Sequence, residues 1–135
     1  MENTLAMIER RFLLVAAFAA TLPVTAHAHE PRRGPNGGQK VDIGTGHAEL
    51  VAEGNTLRLY LFDAADRPLA AAGATAQAVV LAGGRQATVA LAPVRDNFLE
   101  GRGDFTSARG MRAVVTLTLQ GQRPAQARFT PMDQN

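Results

Sequence analysis

The stretch "ATAQAVVLAGGRQATVALAP", residues 74–93, decides the fold. Two runs of valine, alanine and leucine flank the pair Gly83-Gly84. Two glycines between β-like runs make a two-residue hairpin turn, whose central positions need positive φ. The alanine-rich lead-in "LAAAGATAQA", residues 69–78, has the propensity of a helix, but Gly73 in its middle and the strand beyond it argue for extended chain.

The flanking segments repeat this pattern. In "TLRLYLFD" (56–63), Leu57, Leu59 and Leu61 fall on one face and Arg58, Tyr60 and Phe62 on the other. In "HAELVAE" (47–53), Ala48, Leu50 and Ala52 oppose His47, Glu49 and Val51. "MRAVVTLTLQ" (111–120) sets Met111, Ala113, Val115, Leu117 and Leu119 on one face. "QKVDIG" (39–44), "DNFLEGRGDF" (96–105) and "RPAQARFT" (123–130) are further short strands. Turn signals recur roughly every 8–12 residues. The expected fold is all-β, an antiparallel Ig-like β-sandwich of about seven strands over residues 39–130, with residues 131–135 as a tail.

Upstream, Arg10 and Arg11 precede an apolar run from Phe12 to Val24, broken only by Thr21 and Pro23. That run is shorter than the roughly 20 residues a membrane-spanning helix needs, and small residues follow it. Residues 1–28 are therefore expected to be a signal peptide, an N-terminal helix cleaved on export, which places the domain in the periplasm with no membrane insertion afterwards. Between leader and sandwich, "HEPRRGPNGG" (29–38) reads as a flexible arm.

The chain has 135 residues and no cysteine. An exported domain of this kind must rely on an ordinary core rather than on disulfides, and thiolate metal sites and thiol catalysis are excluded. The formal charge is +2, the leader's two acids cancel its two arginines, and basic residues are scattered, so nucleic acid is not an expected partner. No G-x-S-x-G, H-E-x-x-H or phosphate-binding glycine loop is present, and "GPNGG" has neither a strand before it nor a helix after it. "GRGD" at 101–104 matches the integrin tripeptide, in a chain rich enough in arginine and glycine to produce it by chance. No pairing of nucleophile and base stands out, and the chain does not read as an enzyme.

Its three histidines, His27, His29 and His47, all fall within a short span. Imidazole is the commonest side-chain ligand of zinc and copper. Cleavage after Ala28 makes His29 the first residue, with amine and imidazole in chelating reach. Cleavage after Ala26 leaves "HAH", whose amine, amides and His29 ring suit the square plane that Cu(II) prefers. His47 and Glu49 lie two apart on one strand face, so both can join the ion if the arm folds back. A histidine on a strand face is, on the other hand, ordinarily a solvated surface residue. The candidate site is thus His29, His47, Glu49 and, with the earlier cut, His27, holding Cu(II) or Zn(II).

Residues 34–69, with "NGGQKV" (36–41), "GHAELV" (46–51) and "LRLYLFDAADRP" (57–68), carry a resemblance. They are similar to the N-terminal β region of the periplasmic adaptor proteins of cobalt–zinc–cadmium-type heavy-metal efflux pumps. The likeness covers most of residues 34–130 and does not extend to the adaptors' hairpin and barrel domains. A more distant similarity is to periplasmic copper-resistance carriers, cysteine-free β-sandwiches whose mature chain begins with histidine. The resemblance implies a metal-handling context. The family often has histidine before "GPNGG", where this chain has Arg33.

Two expectations follow. In the first, the protein is a periplasmic metal-binding accessory of heavy-metal or copper efflux, and His47→Ala weakens Cu(II) or Zn(II) binding at least tenfold, about 1.4 kcal/mol. In the second, it is a metal-independent module that docks to an efflux adaptor or sensor, and a form lacking residues 29–38 still binds its partner.

Overall fold

A computed structural model describes residues 30–133; the expected signal peptide and the candidates His27 and His29 lie outside the described residues. The described chain is all-β, and among these residues no helix is long and apolar enough to cross a membrane. Its strands are β1 (Arg32–Arg33), β2 (Gln39–Ile43), β3 (Gly46–Glu53), β4 (Thr56–Phe62), β5 (Thr75–Ala82), β6 (Arg85–Arg95), β7 (Phe98–Arg102), β8 (Arg112–Thr118) and β9 (Ala125–Phe129).

All pair antiparallel in one curled sheet of order β1-β2-β3-β4-β7-β6-β5-β8-β9. There are nine strands rather than about seven. Eight of them coincide with the segments read from alternation, and the addition is β1, two arginines in the arm that pair with Lys40 and Gln39. Curling is imposed at β6. Its first half pairs with β5 up to Leu91, and its second half pairs with β7 from Ala92 onward. A register shift falls between Pro93 and Arg95, where proline lacks the N–H for a regular ladder. Gly83 and Gly84, with φ of 59° and 74°, close the β5–β6 hairpin with Ala82 opposite Arg85. Both turn residues have the positive φ that the twist of the flanking strands favours.

The concave side holds the core. Leu57, Leu59 and Leu61 of β4, Ala48 and Leu50 of β3, Leu99 of β7, and Ala113, Val115 and Leu117 of β8 all point inward and are buried. Alternation read from sequence therefore assigns the inward face correctly in β3, β4 and β8. Ala71 and Ala74 are buried too, in a turn closed by the Ala74 N–H donating to the Ala71 carbonyl with Gly73 at φ 76°, not in a helix.

The ends of the curl meet where β2 approaches β9. There the Gln39 amide replaces a ladder rung. Its Nε2 donates to Thr130 Oγ1 at 3.1 Å, and its Oε1 accepts from the Thr130 N–H at 2.6 Å. The arm covers the convex face of β2 and β3 through the β1–β2 pairing, and the candidates His47 and Glu49 lie there.

Candidate functional site

Glu49 and His47 do share a face of β3, as alternation requires, but each is held by different parts of the chain. Glu49 is completely buried although it points away from the core. The hairpin between β1 and β2 covers it. Its turn is closed by the Gly34 N–H donating to the Gly38 carbonyl and the Gly37 N–H donating to that of Gly34. The same turn aims its remaining donors at the carboxylate. Asn36 N–H lies 2.9 Å and Gly38 N–H 2.8 Å from Oε2, and Asn36 Nδ2 lies 2.9 Å from Oε1. "GPNGG" is thus an anion nest for the chain's own carboxylate. Gly34 permits it by lying so close that a Cβ there would overlap the Glu49 side chain.

His47 stands across the β2–β3 ladder from Asp42. Its Nε2 is 3.0 Å from Asp42 Oδ1, and its Nδ1 is 2.8 Å from Asp66 Oδ1. Asp66 comes from the loop after β4, where it takes φ 62°, a left-handed conformation that aspartate tolerates better than most residues. Asp63 builds that loop. Its Oδ1 accepts the N–H groups of Ala65 and Arg67, and its Oδ2 accepts from the Arg67 guanidinium. Two cations complete the cluster: Lys40 Nζ is 2.8 Å from the same Asp66 oxygen that faces His47, and Arg32 reaches Asp66 Oδ2 at 3.1 Å. The Lys40 side chain is buried, with its ammonium 4.1 Å over the Phe62 ring, which explains how both residues sit covered on a convex face.

This arrangement bears on metal chemistry. Asp42 and Asp66 lie on opposite edges of the imidazole, so their oxygens diverge instead of converging on one point. Among the described residues, no group of three or more His, Cys, Asp or Glu side chains is placed to hold a metal ion. Asp66 already faces two fixed cations, and an added divalent ion there would meet the Lys40 ammonium at close range, where like charges repel strongly. His47 also edges a cleft of about 490 Å³ at the end of the curl, floored by Ile43, Leu61, Phe62 and Leu117.

Asp66 is held below the ordinary carboxylate range, first by the Lys40 hydrogen bond and further by the charges of Lys40, His47 and Arg32, against a desolvation cost. Asp63 is lowered too, chiefly by the Arg67 N–H. A carboxyl depressed in the folded state stabilises above its unfolded value, about 3.9, and that contribution is lost as pH falls through the folded value. The urea midpoint is therefore expected to fall below about pH 4, and less steeply in Asp66→Asn. Parallel pH profiles for the two proteins would contradict this part of the cluster.

Sequence reasoning missed Lys40, Asp66 and the Asn36 donor. Lys40 and Asp66 meet only through the β4 loop, and no periodicity reports that. The nest had one legible signal, an acid in the middle of the apolar run "AELV" preceded by a glycine-rich turn rich in free N–H groups. No family model matches the chain, and neither a curated protein nor a solved structure matches it.

Proposed function

We propose that this domain is a metal-independent interaction module that docks to another protein, an adaptor or sensor of a periplasmic heavy-metal or copper efflux system. One observation carries this reading: within the described residues, the polar side chains that resemble a ligand set are engaged in fastening the arm to the sheet. Glu49 is enclosed by Asn36 and Gly38, and His47 lies between Asp42 and Asp66. The two walls joined by β6 are in keeping with an Ig-like sandwich, and the apolar leader with export. No catalytic role and no nucleic-acid partner enter this reading.

The arm's path favours a second reading, a metal-binding accessory. Arg32 folds back onto Asp66, which also touches His47. Three residues of extended chain span at most about 10 Å, a length that allows a terminal His29 to reach the cluster. There its amine and imidazole, with His27 under the earlier cut, would hold Cu(II) or Zn(II) and recruit His47.

Calorimetry separates the two. Protein exported from the full precursor is titrated with Cu(II) and with Zn(II), alongside His47→Ala. The module reading predicts no stoichiometric binding heat for either protein. At least tenfold weaker binding in the variant, about 1.4 kcal/mol, would replace it with the second reading. Trimming the arm tests partner binding only if the cut stops before Arg32. Removal of residues 29–38 would strip Glu49 of its donors.

A further inference from the structure

The four strands β5, β6, β8 and β9 contain Arg85, Arg95, Arg112 and Arg128 and not a single aspartate or glutamate. All carboxylates of the described chain lie on the other strands or in loops. Within this one-signed surface, the register gathers a compact patch. Leu81 of β5 lies opposite Arg112 of β8, Val79 lies opposite Val114, and Val114 lies opposite Arg128 of β9. Arg112 and Val114 are two apart on β8 and so share the convex face. Val79 and Leu81 are 38% and 46% exposed, two of the three large apolar side chains that the described residues leave in solvent. Arg112 and Arg128 also border a hollow of about 340 Å³ beside Gln39 and Thr130. Among the described residues no carboxylate pairs with either guanidinium.

From this placement we infer that the β5–β8–β9 face binds an extended polypeptide segment whose every second residue, the set turned toward the sheet, is in turn acidic and apolar. The inference rests on the module reading and names its surface and its partner chemistry. Strand alternation turns every second side chain of the partner toward the sheet, and that set would place apolar residues on Val79, Leu81 and Val114 and carboxylates on Arg112 and Arg128, where bidentate pairing is available. A second copy of this chain does not fit. Two-fold docking of the same face would set arginine against arginine with no acid in reach. An anionic membrane or a nucleic acid is also a poor match. Membrane recruitment takes clusters of about 4–8 basic residues, and duplex binding about 6–10 phosphate contacts, whereas the patch has two cations among threonine, glutamine and valine.

The test is a backbone amide NMR titration of the isotope-labelled full chain. The probes are a short synthetic peptide in which aspartate and leucine take turns at every second position with threonine between them, its lysine-for-aspartate counterpart, inorganic phosphate, and vesicles of anionic phospholipid. The acidic peptide is expected to shift amides of β5, β8 and β9, and the lysine peptide is not. In the double variant Arg112→Glu/Arg128→Glu, whose exposed sites leave the rest of the spectrum unchanged, affinity for the acidic peptide falls at least tenfold and the lysine peptide gains it. Undiminished binding in that variant, or shifts of the same residues by phosphate or vesicles as strong as by the peptide, would overturn the proposal. Peptide shifts confined to β1–β4 would overturn this surface and leave the module reading standing. Peptide binding that requires added Zn(II) would overturn both.

Discussion

Glu49→Ala is expected to lower the unfolding free energy by about 3–5 kcal/mol, the combined cost of leaving the Asn36 and Gly38 donors without their acceptor. The carboxylate is wholly buried and accepts from Asn36 and Gly38. Its loss leaves donors without an acceptor, each costing about 1–3 kcal/mol unless water enters. Because small domains are stable by only about 5–15 kcal/mol, the variant would sit near the edge of folding. Urea denaturation measures the effect directly. Amide exchange should show the loss beginning in residues 32–38, the segment the carboxylate fastens. Glu49→Gln keeps the volume but turns an amide donor toward an N–H, so it should cost a smaller but still clear amount. A cost below about 1 kcal/mol for the alanine variant, typical of an ordinary surface change, would mean that the nest is not structural.

The second large effect is expected at Gly38. A Cβ there would overlap the Leu50 carbonyl oxygen and lie 2.8 Å from its carbon. These are backbone atoms, so no side-chain rotation relieves the overlap, and the adjoining Gln39–Leu50 pair of the β2–β3 ladder must separate. Gly38→Ala should cost about 3 kcal/mol, at the upper end for overpacking. Gly37 supplies the control. It has φ of 82° and nothing within 4 Å of its would-be Cβ, so its alanine variant carries only the left-handed backbone penalty, about 1–2 kcal/mol. Denaturation midpoints for the two variants should therefore separate clearly. Equal midpoints would show that the close approach of the hairpin to β3 is not what Gly38 provides.

The core was legible in the sequence for a simple reason. Inward positions of β3, β4 and β8 carry leucine, valine and alanine at a period of two, and one buried face is all that alternation reports. It also placed His47 and Glu49 together on the opposite face. What alternation does not contain is whether that face meets solvent. In β3 the answer depends on a hairpin whose donor, Asn36, is 13 residues away from Glu49. It depends also on a loop aspartate that only tertiary folding brings to His47. Two arginines without an apolar neighbour gave no strand signal, because β1 exists by pairing with β2 and not by burying side chains.

On the proposed module reading, His47 is held by the carboxylates of Asp42 and Asp66 rather than by a metal ion. Side-chain nitrogen NMR of His47, recorded on the exported protein at neutral pH before and after one equivalent of Zn(II), tests it most directly. Both imidazole nitrogen resonances are expected to stay in place, still in contact with Asp42 and Asp66. A stoichiometric shift of either nitrogen to a zinc-bound position would contradict it and make His47 part of a metal centre.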